Sequence, residues 1–251
     1  MSYAFFIEPN QLNITTYEYQ TDKLNNGQKL KIAFLSDLHI GSPFNDLQRL
    51  DKIVNKTNSL NPDIILLGGD YIVTDVPLGK YVDIGEILKP LSKLEAPLGV
   101  YAVMGNHEYK KEGVDFDKLF KEHHIPLLRN ENISFKDFSL TAIDFKYNYD
   151  NSDIIKLKND KLNIAFSHAP SIFNLINEES IILTGHEHGG QFNLPFIGSI
   201  IFLYLSGEIH HIKTEKQDFN KTMFTSRGIG TSRIPLRFLS KPEIMVVDIS
   251  N

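Results

Sequence analysis

Five short apolar runs constrain what this chain can fold into more than any other feature. They are Ile32–Leu35, Ile64–Leu67, Val100–Met104, Ile164–Phe166 and Ile181–Leu183, and none alternates apolar with polar residues. A run of that kind is a strand buried on both faces, so the sheet that holds it needs a covering layer on each side. Stretches of helical period lie between the runs. Leu47, Leu50, Ile53, Val54 and Thr57 form one face, Val82, Ile84, Ile87, Leu88 and Leu91 a second, and Val114, Phe116, Leu119 and Phe120 a third, with a short fourth over Ser171–Asn177. Alternating strands and helices predict an α/β fold. The section from Ile133 to Tyr149 reads as antiparallel, and the chain from Phe192 onward is rich in strand formers and turn residues, ending in Ile244–Ile249. Two sheets with helices outside them account for the whole pattern. No repeat or low-complexity linker divides the 251 residues, and residues 1–251 are expected to form a single domain.

Each apolar run ends in a small residue followed by a side chain able to bind metal. The five endings are Ser36-Asp37-Leu38-His39, Gly68-Gly69-Asp70, Gly105-Asn106-His107-Glu108, Ser167-His168-Ala169-Pro170 and Thr184-Gly185-His186-Glu187-His188. In open α/β sheets the carboxyl ends of strands are where ligands bind. Five strand ends would therefore bring Asp37, His39, Asp70, Asn106, His107, His168, His186 and His188 to one rim. Asp37 and His39, and likewise His186 and His188, are spaced i, i+2, which places both side chains on one face of an extended chain. Imidazole and carboxylate suit Mn, Zn, Fe, Co or Ni. Seven such ligands exceed one open site and suit two ions sharing a carboxylate, a pair that sits roughly 3.5–4 Å apart and acts on phosphorus. Taken singly the motifs are ambiguous. Asn106 could simply cap a helix, and His168 could be a core histidine at a turn. Their joint occurrence, in order and each after a buried strand, is what selects metal chemistry.

Composition removes several alternatives. There is no cysteine, which excludes disulfide scaffolds, thiolate metal sites and cysteine nucleophiles. Net charge is −5, so bulk electrostatic binding of nucleic acid is not expected. The N-terminus lacks the basic region of a signal peptide. The uncharged stretch Gly189–Gly207 carries an apolar core of only about half a bilayer span. Of 26 basic residues five are arginine, and three of these, Arg227, Arg233 and Arg237, lie close together near the C-terminus. Arginine's planar fork matches phosphate bidentately, which makes the three candidate substrate contacts.

The ordered motifs resemble the calcineurin-like metallophosphoesterase superfamily, whose pattern is Asp-x-His, Gly-Asp, Gly-Asn-His-Asp/Glu, a solitary His and Gly-His-x-His. The resemblance implies a four-layer αββα sandwich of two mixed sheets flanked by helices, with a dimetal site at the C-terminal strand ends. It assigns Asp37, His39 and His188 to one of two divalent ions per chain, and Asn106, His168 and His186 to the other. Asp70 bridges, and His107 is an unliganded catalytic acid. The common Gly-Asp-x-x-Asp is absent here, since Asp75 is displaced. Phe6-Ile7-Glu8-Pro9, Gly189-Gly190-Gln191, Ser226-Arg227-Gly228-Ile229-Gly230-Thr231, Pro235-Leu236-Arg237-Phe238 and Pro242-Glu243-Ile244 further resemble a bacterial branch of membrane-associated phosphodiesterases that includes a UDP-2,3-diacylglucosamine pyrophosphatase. That likeness implies a phosphodiester or nucleotide-lipid substrate, and a cytoplasmic chain with peripheral contact at the inner membrane. It adds Gln191 to the candidate substrate contacts, and the uncharged apolar run Phe192–Ile197, directly after His188, adds Phe196. The reading is a hydrolase of a phosphodiester or pyrophosphate bond. A non-catalytic metal-binding module of the same fold and a nuclease are the alternatives. No ligand position is eroded, which disfavours the first, and the acidic balance disfavours the second. Lys110-Lys111, His123-His124, Tyr147-Asn148-Tyr149 and His210-His211 are read as mainly structural or solvated. Oligomeric state is not encoded legibly.

Overall fold

The apolar runs form the strands expected of them in a computed structural model, which describes residues 2–25, 27–74, 76–145, 157, 161–196, 198–199, 214–218 and 220–251. A five-stranded sheet has the order β1 (Asn13–Gln20), β13 (Glu243–Ser250), β2 (Lys29–Leu35), β3 (Ile64–Leu67) and β4 (Val100–Ala102). β2, β3 and β4 run parallel, and β13 runs antiparallel to β2. A six-stranded sheet has the order β11 (Glu215–Asp218), β12 (Lys221–Thr225), β8 (Ser180–Thr184), β7 (Leu162–Ser167), β6 (Phe138–Ile143) and β5 (Glu131–Ser134). Its four central strands are parallel, and each edge strand is antiparallel to its neighbour. The antiparallel reading of Ile133–Tyr149 therefore holds for β5 and β6, whereas β6 joins β7 in parallel. A small hairpin of β9 (Asn193–Leu194) and β10 (Gly198–Ser199) follows the last metal-type histidine.

Strand pleating explains why the runs had to be apolar throughout. Ile32 and Phe34 point between the two sheets, where they meet Phe138, Leu140, Ile164, Phe166, Ile181 and Leu183. Ala33 and Leu35 point the other way, into a second core with Leu50, Ile53, Ile87, Leu88 and Phe120. That outer core is closed by α1 (Leu47–Asn58), α2 (Ile84–Leu91) and α4 (Phe116–Glu122). Each begins at an aspartate whose carboxylate takes a free backbone N–H: Asp46 from Arg49, Asp83 from Gly85 and Asp115 from Lys118. Full burial of Phe34 makes it a keystone of the inter-sheet core, and Phe34→Ala is expected to cost about 3–5 kcal/mol. Among the described residues, Leu157 and the segment 170–175 pack on the outer face of the six-stranded sheet. The predicted fourth helix is a short 3-10 segment, Pro170–Leu175, whose Ile172, Phe173 and Leu175 pack with Ile182 and Met223. Among the described residues no helix is long and apolar enough to cross a membrane.

Candidate metal centre

Parallel strands bring their carboxyl ends to one edge, and the site forms there. Pairing continues past the ends of β2 and β3. The Asp37 N–H donates to the Gly69 carbonyl and the His39 N–H to the Asp70 carbonyl, both at 2.9 Å. The loops are therefore locked side by side. Asp37, His39, Asp70, His186 and His188 all sit in the left-handed region, at φ 54°, 41°, 56°, 73° and 50°. Each such residue costs on the order of 1–3 kcal/mol, and strain of this kind gathers where geometry serves a function. Gly105 opens α3 (Asn106–Lys110), and a Cβ there would strike the Asp70 carboxylate. Glycine at this position lets the helix start approach the aspartate.

The structure brings the seven candidate ligands together as two adjoining groups. The ligand atoms of Asp37, His39 and His188 lie within 4.8 Å of one another, as do those of Asp70, His168 and His186. His39 Nε2 is 3.1 Å from His188 Nε2, and His188 Nε2 is 3.4 Å from Asp37 Oδ1. In the second group His168 Nε2 is 3.1 Å from His186 Nδ1, 3.1 Å from Asn106 Oδ1 and 3.2 Å from Asp70 Oδ2. The same Asp70 Oδ2 lies 3.5 Å from His39 Nε2. Asp70 is thus the carboxylate between the groups. His107 stands beside it, Nε2 3.8 Å from Asp70 Oδ2 and Nδ1 2.6 Å from Thr74 Oγ1, while its backbone N–H donates to Asp70 Oδ1 at 2.9 Å.

Surrounding groups orient these side chains. His39 and His168 each turn Nδ1 to a backbone carbonyl, Ile72 at 3.1 Å and Gly68 at 2.8 Å, which turns each Nε2 inward. Asp37 accepts from the Ser36 hydroxyl at 2.6 Å and from the His186 N–H. Phe145 packs its ring against His168 and His186, with centroids 5.7 and 6.0 Å away. Glu108 is a buried clip, accepting from the N–H groups of Asp70, Tyr71, Ile72 and Gly105 at 2.8–3.2 Å. The sequence marks Glu108 only as a first-turn carboxylate, and nothing in it marks Thr74 or Phe145.

The electrostatics suit a cation. Burial drives His39 down to about 3 and holds His188 well below the ordinary imidazole value, so both rings present lone pairs. His186 is the exposed member by residue surface, yet loss of solvation around its ring and the charge of His168 bring it to about 4. Burial alone would raise the Asp70 carboxyl, but the charges of His168, His39 and His107 hold it well below the usual range. His168 goes the other way. Burial opposes its charge, and the Asp70 carboxylate overcomes this and lifts it to about 9. Asp37 is raised to about 6 by burial. His39 and His188 face each other across 3.1 Å with no ready proton between them, and His168 and His186 approach as closely around a proton that His168 holds in the absence of metal; facing carboxylates, both pairs fit divalent ions held by imidazole, carboxylate and carboxamide.

The candidate substrate contacts divide sharply. Arg227 pairs with Glu243 and Thr15. Arg237 is fully buried and donates to the carbonyls of Gly230, Ser240 and Arg227, with Nη2 3.4 Å from His188 Nδ1. Gln191 is buried and spends its amide on Ser232 and Ile234. These three are not presented to a substrate, because internal acceptors and donors already use their polar atoms. They form a scaffold behind His188 instead. Glu8 accepts the Ser240 N–H at 2.6 Å, and the Ser240 hydroxyl donates to the His188 carbonyl at 2.8 Å. Arg233 is exposed, and Phe196 is 96% exposed at the tip of the β9–β10 hairpin. Phe192 is not free, since it stacks on Phe238. Lys111 lies over the Tyr81 ring, and the His123 ring reaches the Leu119 carbonyl at the end of α4. Asp75, Tyr147-Asn148-Tyr149, Ile197, Ile200–Leu205 and His210-His211 lie outside the described residues.

Carboxylate, carboxamide and four imidazoles on one rim, with a spare histidine beside the shared carboxylate, define a metal-dependent phosphoesterase. The chain belongs to the calcineurin-like phosphoesterase family, whose pattern matches residues 30–190. It is similar along nearly its whole length to several bacterial proteins. An uncharacterized metallophosphoesterase of Aquifex aeolicus is 28% identical over 97% of this chain and 94% of its own length. YkuE, an uncharacterized metallophosphoesterase of Bacillus subtilis, is 29% identical over 99% and 89%. The phosphodiesterase YaeI of Escherichia coli is 26% identical over 98% and 92%.

Proposed function

We propose that this phosphoesterase holds two divalent ions and hydrolyses a phosphodiester or pyrophosphate bond. The observation that carries the reading is the placement of Asp70, with one oxygen 3.5 Å from His39 of the first ligand group and 3.2 Å from His168 of the second. Asp37, His39, Asp70 and His188 would hold one ion, and Asp70, Asn106, His168 and His186 the other. Bound there, the ions would supply Lewis acidity toward the phosphoryl oxygens and acidify water for attack on phosphorus. The protein's own groups do the rest. The carbonyls of Ile72 and Gly68 keep His39 and His168 in the ligating tautomer. His107, with Nδ1 engaged by Thr74, offers Nε2 to the reacting group and gives its proton to the departing oxygen. The buried rim strengthens each of these interactions by excluding water.

Preference for a diester over a monoester is supported by the name of the YaeI relative, a phosphodiesterase. A lipid-bearing substrate, such as the acylated nucleotide suggested by the branch motifs, is supported by the exposed Phe196 at a hairpin anchored to Gly189 through Asn193. The test is hydrolysis of bis(p-nitrophenyl) phosphate against p-nitrophenyl phosphate, across Mn, Zn, Fe, Co and Ni. The diester should be cleaved at least tenfold more efficiently, and only with metal. Equal or better cleavage of the monoester would overturn the diesterase assignment. Replacing Phe196 with Ser should slow cleavage of an acylated diester and spare the aryl one; equal effects on both would return the hairpin to a purely structural role.

A further inference from the structure

Three arginines crowd the segment 227–237, and the structure uses two of them internally. Arg233 is the exception. It is exposed and makes no hydrogen bond or ion pair among the described residues. Its backbone nevertheless is not slack. Gln191, three residues past His188 and buried, accepts the Ser232 N–H at 2.8 Å and donates to the Ser232 carbonyl at 3.0 Å and to the Ile234 carbonyl. The amide therefore grips the chain on both sides of Arg233. The clamp holds Arg233 at φ 61°, a left-handed conformation that a long side chain adopts only when its surroundings impose it. Gln191 follows His188 by three residues, so the clamp ties the Arg233 loop to the segment that carries two rim histidines, and the Arg233 charge acts on the His186 ring. A guanidinium that is free, held at a strained backbone position and carried on a loop clamped to the segment of His186 and His188 is placed to meet a further anionic group of a bound substrate. The reacting group itself would be served by the ions and by His107.

We propose that Arg233 is a specificity-determining contact for a second anionic group on the substrate, so that a pyrophosphate, or a diester carrying a further phosphate, is preferred to a diester with neutral substituents. Gln191 is its positioning residue. The proposal rests on the phosphoesterase reading of the site, and its test keeps the two apart. Metal-loaded protein is titrated calorimetrically with methylenediphosphonate, whose P–C–P bridge resists hydrolysis, and with inorganic phosphate. Arg233→Gln should weaken methylenediphosphonate binding about 10–100-fold, the range of a lost charge-assisted bidentate contact, and change phosphate binding less than about 3-fold. Arg233→Lys, which keeps the charge and loses the fork, should fall between. Because Arg233 is exposed, neither variant threatens folding. Equal weakening of both ligands, or of neither, overturns the proposal. Hydrolysis of bis(p-nitrophenyl) phosphate is measured on the wild type separately. A protein that cleaves no diester yet binds methylenediphosphonate through Arg233 loses the hydrolase reading and keeps the anion contact.

Discussion

The histidine–aspartate rim and the arginine-bearing loop from Ser226 to Ser240 adjoin one another through His188, yet they use polar groups in opposite ways. On the rim, His39, His186 and His188 are kept neutral while Asp70 holds a proton on His168, and all four rings converge where a cation would take their lone pairs. In the loop, Arg237 and Arg227 are satisfied inside the protein, by carbonyls and by Glu243, and they build a frame for the neighbouring rim. A polar cluster with unmet valence is a site, and one whose donors and acceptors all match is structure. Of the loop's three arginines, Arg233 is the one without such a partner among the described residues.

Substitutions can break this contrast at either end. Asp70→Ala should have the largest effect. It removes the carboxylate shared by both groups, so metal content should fall further than for any other single ligand change. Activity should drop by more than the roughly 10–100-fold typical of losing an outer-shell partner. Elemental analysis beside a diesterase assay checks both. His107→Ala should keep its metal and lose roughly 10²–10⁴ in kcat, as expected of a missing general acid. Loss of metal from that variant would show that His107 is a ligand.

Arg237→Met should act on stability rather than on chemistry. It removes a buried cation and strands the carbonyls of Gly230, Ser240 and Arg227, at about 3–5 kcal/mol in denaturant unfolding. Arg233→Gln should stay within about 0.5 kcal/mol of wild type. If the two variants were equally stable, the division drawn between frame and site would fail.

A smaller effect concerns pH in the metal-free protein. Asp70 raises His168 to about 9, above its ordinary 6.5. The ion pair therefore stabilises the fold fully below pH 6.5 and is lost as pH rises through about 9. Asp37, raised by burial to about 6, completes most of its ionisation below this range, and Glu108, raised to about 7, adds to the decline only at its lower end. Melting temperature should decline between pH 7 and 9.5, and His168→Asn should flatten that decline. In metal titrations the same proton competes with the ion, so affinity should rise across the same interval.

How much of this could be read from the chain depends on the kind of constraint involved. β2, β3, β7 and β8 were legible because double burial forbids polar residues, and the ligands were legible because each directly follows such a strand. The 3-10 form of Pro170–Leu175 was not, since a 3-10 segment and a short helix share the same apolar spacing over Ser171–Asn177. Within the site, the roles of Glu108, Thr74 and Phe145 depend on contacts across dozens of residues, which no local pattern encodes. The arginines illustrate the limit most clearly. Composition brought all three forward as phosphate ligands, but burial and the acceptors each one meets decide their use, and those are set by Glu8, Gln191 and Glu243 from distant parts of the chain.

The central claim is that one rim holds two ions around Asp70. It is tested most directly by counting them. Protein stripped with a chelator, reloaded with Mn or Zn, freed of excess metal and measured by elemental analysis should carry two ions per chain. One ion, or none, at full loading would contradict it.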